Sequence, residues 1–162
     1  MKQITRIAAL AGLIALPALA LVSFQFAAAG KPAGSAEDRA AVERAVRDYL
    51  EGFYEAKPEL IERGVHEKLV KYGFYRRAGE TDYRGTAMNF EQALQLASTF
   101  NADGKQVPAD APREIVVLDL LDRTASAKLT ATWGIDYFHL GKEEGNWKIL
   151  QVLWQSAPAK KE

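Results

Sequence analysis

Residues 114–155, EIVVLDLLDRTASAKLTATWGIDYFHLGKEEGNWKILQVLWQ, decide the architecture of this chain. From Glu114 to Leu121 the apolar residues Ile115, Val116, Val117, Leu118, Leu120 and Leu121 leave neither face polar, the pattern of a strand covered on two sides. Asp122-Arg123 reads as a tight reversal. Beyond it Ala125, Ala127, Leu129, Ala131 and Trp133 alternate with Ser126, Lys128, Thr130 and Thr132, so a returning strand from Thr124 to Leu140 buries one face. Gly134 interrupts this alternation and marks a bulge or bend. A one-residue bulge moves every later side chain to the other face, which leaves the facing of Asp136, Tyr137 and His139 open. The turn Lys142-Glu143-Glu144-Gly145 leads into a closing strand, Asn146 to Gln155, whose Trp147, Ile149, Leu153 and Trp154 give large apolar area on both faces.

Upstream the pattern is helical. Ser35 with Asp38 has the form of an N-cap followed by an acidic first turn. Val42, Ala45, Val46, Tyr49, Leu50 and Phe53 then make one apolar stripe, with the pairs Arg44/Asp48 and Arg47/Glu51 on a solvated face. Gly52 permits the close approach of a neighbouring element. Lys57-Pro58 ends this helix, and Pro58 suits the first turn of a short second helix that Gly64 closes in a left-handed conformation. Leu69 to Arg77 reads as a first strand, after which Ala78-Gly79-Glu80 begins a polar excursion. Asn89 and Gln92 have capping-box spacing for a third helix with Phe90, Ala93, Leu94, Ala97 and Phe100 on its apolar side.

The first 29 residues read as a bacterial-type secretory signal. Lys2 and Arg6 precede the apolar run from Ile7 to Val22, and Ala27-Ala28-Ala29 offers small residues for cleavage. The competing reading, a retained membrane anchor, is weakened by Gly12, Pro17, Ser23 and Gln25. Cleavage after Ala29 would release 133 residues (162 less 29), Gly30 to Glu162, into the periplasm or the medium, a length suited to one domain. Residues 30–39 serve as a linker, 40–156 as the domain and 157–162 as a disordered tail.

Composition excludes several classes. The chain has no cysteine, so neither a disulfide nor a thiol nucleophile is available in an oxidising compartment. Without Lys2 and Arg6, 19 basic residues face 21 acidic ones, which gives no electrostatic footprint for nucleic acid. Its two histidines, His66 and His139, lie far apart, so no zinc site is expected. Neither a phosphate-binding glycine loop nor a Gly-x-Ser-x-Gly elbow occurs, and no cofactor is implied.

The order helix, helix, strand, helix and three long antiparallel strands places helices on one side of a bent sheet. In Ala41-Val42, Tyr49 to Tyr54, Gly64-Val65-His66 and Tyr72-Gly73, and in the hairpin segments Thr124 to Lys128, Asp136 to Leu140, Gly145 to Ile149 and Val152 to Trp154, the chain resembles the nuclear transport factor 2-like (NTF2-like) superfamily. Within it the resemblance is to the putative lumazine-binding family, grouped with SnoaL-like proteins. His66-Glu67-Lys68 stands where that family has a His-Pro-Asp turn, so no aspartate role carries over there. The resemblance implies an α+β cone: three helices packed on a strongly curved, mainly antiparallel sheet around a pocket.

Relatives use such a pocket for isomerisation, dehydration, cyclisation or binding alone, so three readings stand. The first is a periplasmic binder of a small, partly apolar molecule, with Tyr49, Phe53, Tyr54, His66, Tyr72, Tyr137 and Trp154 as candidate contacts. The second is a SnoaL-like or ketosteroid-isomerase-like enzyme of proton transfer or dehydration, with His66 or Asp136 as acid or base and Tyr72 or Tyr137 as donor. The third is a non-catalytic module that dimerises through its sheet face. A homodimer is expected in any case, with no nucleic-acid partner and membrane contact only through the signal segment. Structural roles compete at several positions: His66 near a helix end, Asp136 bonding backbone amides, and the aromatic residues as core.

Overall fold

Ser35 accepts the backbone N–H of Asp38 at 3.0 Å and starts α1 (Ala36–Tyr54), as the capping pattern predicts. The computed structural model describes residues 34–158 apart from Ala78; the stretch 1–29 read as a secretory signal, residues 30–33 and residues 159–162 lie outside the described residues, and of the stretch read as a linker, 30–39, the last four residues belong to α1. The predicted apolar stripe of α1 is buried from Val42 to Phe53. Its cap contributes about 1 kcal/mol, whereas each large side chain of the stripe contributes roughly 1.5–3 kcal/mol by leaving water, so packing dominates the helix's stability.

Ala56, with φ 51°, turns the chain out of α1, and Pro58 occupies the first turn of α2 (Pro58–Gly64). Gly64 is needed for room, not for a left-handed cap. A Cβ on it would come within 2.6 Å of the Ala45 carbonyl oxygen. This close approach also removes Asp48 from the solvated face predicted for it: Asp48 is buried and takes a bidentate bond from Arg63 of α2 at 2.6 and 2.7 Å.

Strand β1 (Val65–Tyr75) pairs with β2 (Arg84–Met88), a strand that lies in the segment read as a polar excursion. Asn89 and Gln92 form the predicted capping box at the start of α3 (Phe90–Thr99). Four strands follow, not three: β3 (Glu114–Leu120), β4 (Thr124–Ala131), β5 (Gly134–Glu143) and β6 (Asn146–Gln155). The run read as a single strand from Thr124 to Leu140 folds back at Thr132-Trp133, with Ala131 opposite Gly134. Gly134 has φ 133°, and a Cβ there would run into the Gln155–Ser156 backbone, so it serves a hairpin.

The sheet order is β2-β1-β6-β5-β4-β3, antiparallel except for the parallel pair β1–β6. It is curved and not closed, and the three helices pack on one face. A register shift between His139 and Leu140 sets Leu150 of β6 outside the ladder. On β6 Trp147 and Ile149 therefore point in before the shift, and Val152 and Trp154 after it. Strand β3 is an edge whose outer side is uncovered, so Val116 and Leu118 are exposed where the sequence predicted cover on two sides.

Candidate functional site

On β1 the inward positions are Leu69, Lys71 and Gly73, while Val70, Tyr72 and Phe74 face outward. A lysine thus stands on the helix-covered face. Lys71 lines a cavity of about 190 Å³. Phe53 of α1, Leu96 of α3 and Phe100 at its end form one wall; Met88 of β2, Trp133 from the β4–β5 turn and Trp154 of β6 form the other. Lys71 supplies the cavity's polar group.

Beneath the cavity Lys71 Nζ donates to Tyr49 Oη at 2.5 Å and lies 3.7 Å from Asp136 Oδ1. Tyr49 in turn donates to Asp136 Oδ1 at 3.4 Å, and the Trp133 indole N–H donates to Asp136 Oδ2 at 2.5 Å. Three rings surround the ammonium at 5.2 to 5.7 Å from their centroids: Tyr49, Trp154 and Phe53. Lys71 is 7% exposed and Asp136 fully buried, so a charge-neutral cluster sits in a nearly dry interior.

Burial sets the electrostatics. It pushes the Asp136 carboxyl up, opposed by the Lys71 charge and by the bonds from Trp133 and Tyr49. The same desolvation pulls Lys71 down, opposed by Asp136. Tyr49 is pushed well above a phenol's ordinary value by burial and then by the neighbouring carboxylate. Trp133 connects this cluster to the rest of the core, meeting Tyr49, Phe53, Tyr54 and Phe100 edge-on with centroids 5.4 to 6.4 Å apart. Tyr54 holds the turn that carries it, accepting the Thr132 N–H at 2.8 Å and donating to the Pro112 carbonyl at 2.8 Å.

Among the residues singled out from sequence, Phe53 and Trp154 line the cavity, Tyr49 and Asp136 lie beneath it, and Tyr54 packs behind Trp133. Tyr72 and Tyr137 instead lie on the outer sheet face, 45% and 48% exposed. His66 sits at the start of β1, its Nε2 3.1 Å from Glu143 and its Nδ1 accepting the Lys68 N–H. The acid, base and donor candidates are therefore not gathered in one place: of them, Asp136 alone adjoins the cavity. Sequence reasoning missed Lys71, Met88, Leu96, Phe100 and Trp133 as site residues. Lys71 could have been flagged only by orienting β1 against its apolar residues, since Val70, Tyr72 and Phe74 are the more hydrophobic set.

Three helices on a curved, mostly antiparallel six-stranded sheet, with an apolar cavity between them, define an NTF2-like α+β protein. The model of the putative lumazine-binding family matches residues 37–155, and the chain belongs to that family. Solved structures agree on the fold. An NTF2-like protein of unknown function from Shewanella baltica OS155 is 16% identical with a TM-score of 0.59, covering 78% of this chain and 98% of its own. One from Silicibacter pomeroyi DSS-3 is 17% identical with a TM-score of 0.56, covering 74% and 96%. A third, from Methylobacillus flagellatus KT, is 14% identical with a TM-score of 0.56, covering 79% and 100%. No curated protein matches the chain.

Proposed function

We propose that this protein is exported and, as a homodimer, binds a small, mainly apolar molecule in the cavity between α1, α3 and the sheet. The observation that carries the reading is the lining: aromatic and aliphatic side chains around one amine at Lys71. A cavity of about 150 Å³ admits benzene. The 190 Å³ here suits a substituted single ring or a short branched chain whose one acceptor atom meets Lys71. Lumazine carries hydrogen-bonding groups around most of its edge, and burying those against hydrocarbon without partners is costly, so the family's name does not fix this chain's ligand.

Trp133 and Trp154 report occupancy directly. Titrating the protein with small aromatic ketones, alcohols and carboxylates should quench or shift their fluorescence at micromolar to millimolar concentration, and Trp133→Phe with Trp154→Phe should abolish the signal. Absence of any response across such a set, confirmed by calorimetry, defeats the reading.

An enzymatic reading, proton transfer or dehydration, draws support from one observation, the raised Asp136 carboxyl bonded to Tyr49 beside the cavity. It requires a bound substrate to reach past Lys71. Turnover of a β,γ-unsaturated ketone that Asp136→Asn eliminates would favour it over binding alone.

The dimer reading rests on the outer sheet face. In one register row Tyr72, Leu153 and Tyr137 lie side by side, with Val70 and Phe74 flanking Tyr72 on β1. All five are 42 to 63% exposed. Such a contiguous apolar patch favours cover by a partner surface. Export predicts a mature N-terminus near Gly30, which N-terminal sequencing of the protein from its native compartment reads.

A further inference from the structure

Lys71 combines three features that binding alone does not require. It lines a cavity of organic-ligand size, it is 7% exposed, and its amine is linked inward through Tyr49 Oη to Asp136 Oδ1. A lysine kept only to neutralise Asp136 would not need to border that space. We propose that Lys71 captures small aldehydes or ketones as an imine, an inference that rests on the cavity being a ligand site.

The step begins with a proton passing from the Lys71 ammonium to Asp136 through the Tyr49 hydroxyl, which leaves an amine and a carboxylic acid. Both buried charges vanish in that transfer, and the apolar surroundings favour it because desolvation penalises each charge. The directions found for the two groups, Lys71 down and Asp136 up, agree with it. The Nζ lone pair then attacks the carbonyl carbon, the C=O π pair moves to oxygen, and that oxygen takes the proton held by Asp136, giving an N-protonated carbinolamine beside the Asp136 carboxylate. Loss of the hydroxyl as water, with one proton leaving nitrogen, forms the C=N bond as a protonated imine whose charge the Asp136 carboxylate balances. One C=O is replaced by one C=N and one water is released, with no oxidant or reductant.

The cavity selects the carbonyl compound by size and polarity. Trp133, Trp154, Phe53 and Phe100 favour a benzaldehyde-like or branched aliphatic compound, whereas a sugar aldehyde would leave its hydroxyls unpartnered. Asp136 from β5 and Tyr49 from α1 are the titratable groups packed against the amine. The β2, α3 and β6 side chains that line the same space, Met88, Leu96 and Trp154, do not titrate.

The test is reductive trapping on the intact wild-type protein. Benzaldehyde at limiting amount with cyanoborohydride, followed by peptide mapping, should place the benzyl group on Lys71. Selectivity over the exposed Lys105 should be on the order of tenfold or more near neutral pH, where an ordinary lysine is almost wholly protonated. Lys71→Met should lose that adduct and keep the surface background. Benzyl alcohol, which has the shape without the electrophile, is titrated in parallel through tryptophan fluorescence. Binding of benzyl alcohol with no preference for Lys71 in trapping overturns the imine and leaves the cavity reading intact; failure of both overturns the two together.

Discussion

Gly73 lies directly beside Trp154 in the parallel β1–β6 pair, and the indole occupies the space that a side chain at position 73 would fill. The glycine makes room for the ring, which lines the cavity and faces the Lys71 ammonium at 5.4 Å. A missing side chain on one strand thus shapes the site on another.

Gly73→Ala should therefore displace Trp154 and narrow or fill the cavity. Overpacking of this kind costs about 1–3 kcal/mol, so the urea midpoint should fall while ligand-dependent fluorescence is lost. Unchanged stability together with unchanged binding would show that the ring has room to shift.

The buried trio calls for a double-mutant cycle. Asp136→Leu strands the Trp133 N–H, the Tyr49 hydroxyl and a buried lysine, and should cost about 3–5 kcal/mol. Lys71→Met should cost less, about 1–3 kcal/mol, because the remaining carboxyl keeps two donors and can stay protonated. The double variant should be more stable than the sum of the two losses implies, by at least 1 kcal/mol or so, in denaturant unfolding. Simple additivity would mean that the two side chains do not interact.

Acid sensitivity should centre on Asp38. Bonds from Lys142 at 2.6 Å and the Trp147 indole at 2.9 Å hold its carboxyl at about 2, below the ordinary 3.8, and tie the start of α1 to the β5–β6 hairpin. A folded-state value below the unfolded one gives stability that is present above pH 3.8 and lost as pH falls from there towards 2. Asp38→Asn should flatten the urea-midpoint profile in that window and leave its shape near neutrality unchanged. An identical acid limb in the two proteins would assign the effect elsewhere.

Leu153 is the centre of the outer apolar row, so Leu153→Glu with Val70→Glu should convert the proposed dimer to a monomer in light scattering. Both side chains are more than half exposed within one chain, and their replacement should leave the monomer's fold, read by circular dichroism, in place. A wild-type protein that is monomeric at high micromolar concentration would remove the dimer.

Signals carried by neighbouring residues were legible without coordinates. The Ser35 and Asn89 caps, the α1 stripe and the Pro58 helix start depend on contacts within a turn or two, and the sequence alone determined them. It also determined the α+β class and the family through the order of its elements.

Tertiary structure decided which side of the sheet each residue faces. Alternation on β1 has the right period, but Val70, Tyr72 and Phe74 are more apolar than Leu69, Lys71 and Gly73, so hydrophobicity points the strand the wrong way. The turn at Thr132-Trp133 fixed Asp136 inward with Tyr137 and His139 outward, and the shift at Leu150 set Val152 and Trp154 inward on β6. Lys71, Asp136 and Tyr49 meet only because β1, β5 and α1 share one core. Periodicity records that a strand has two faces; what packs over each face, from distant parts of the chain, determines which one holds the buried charge.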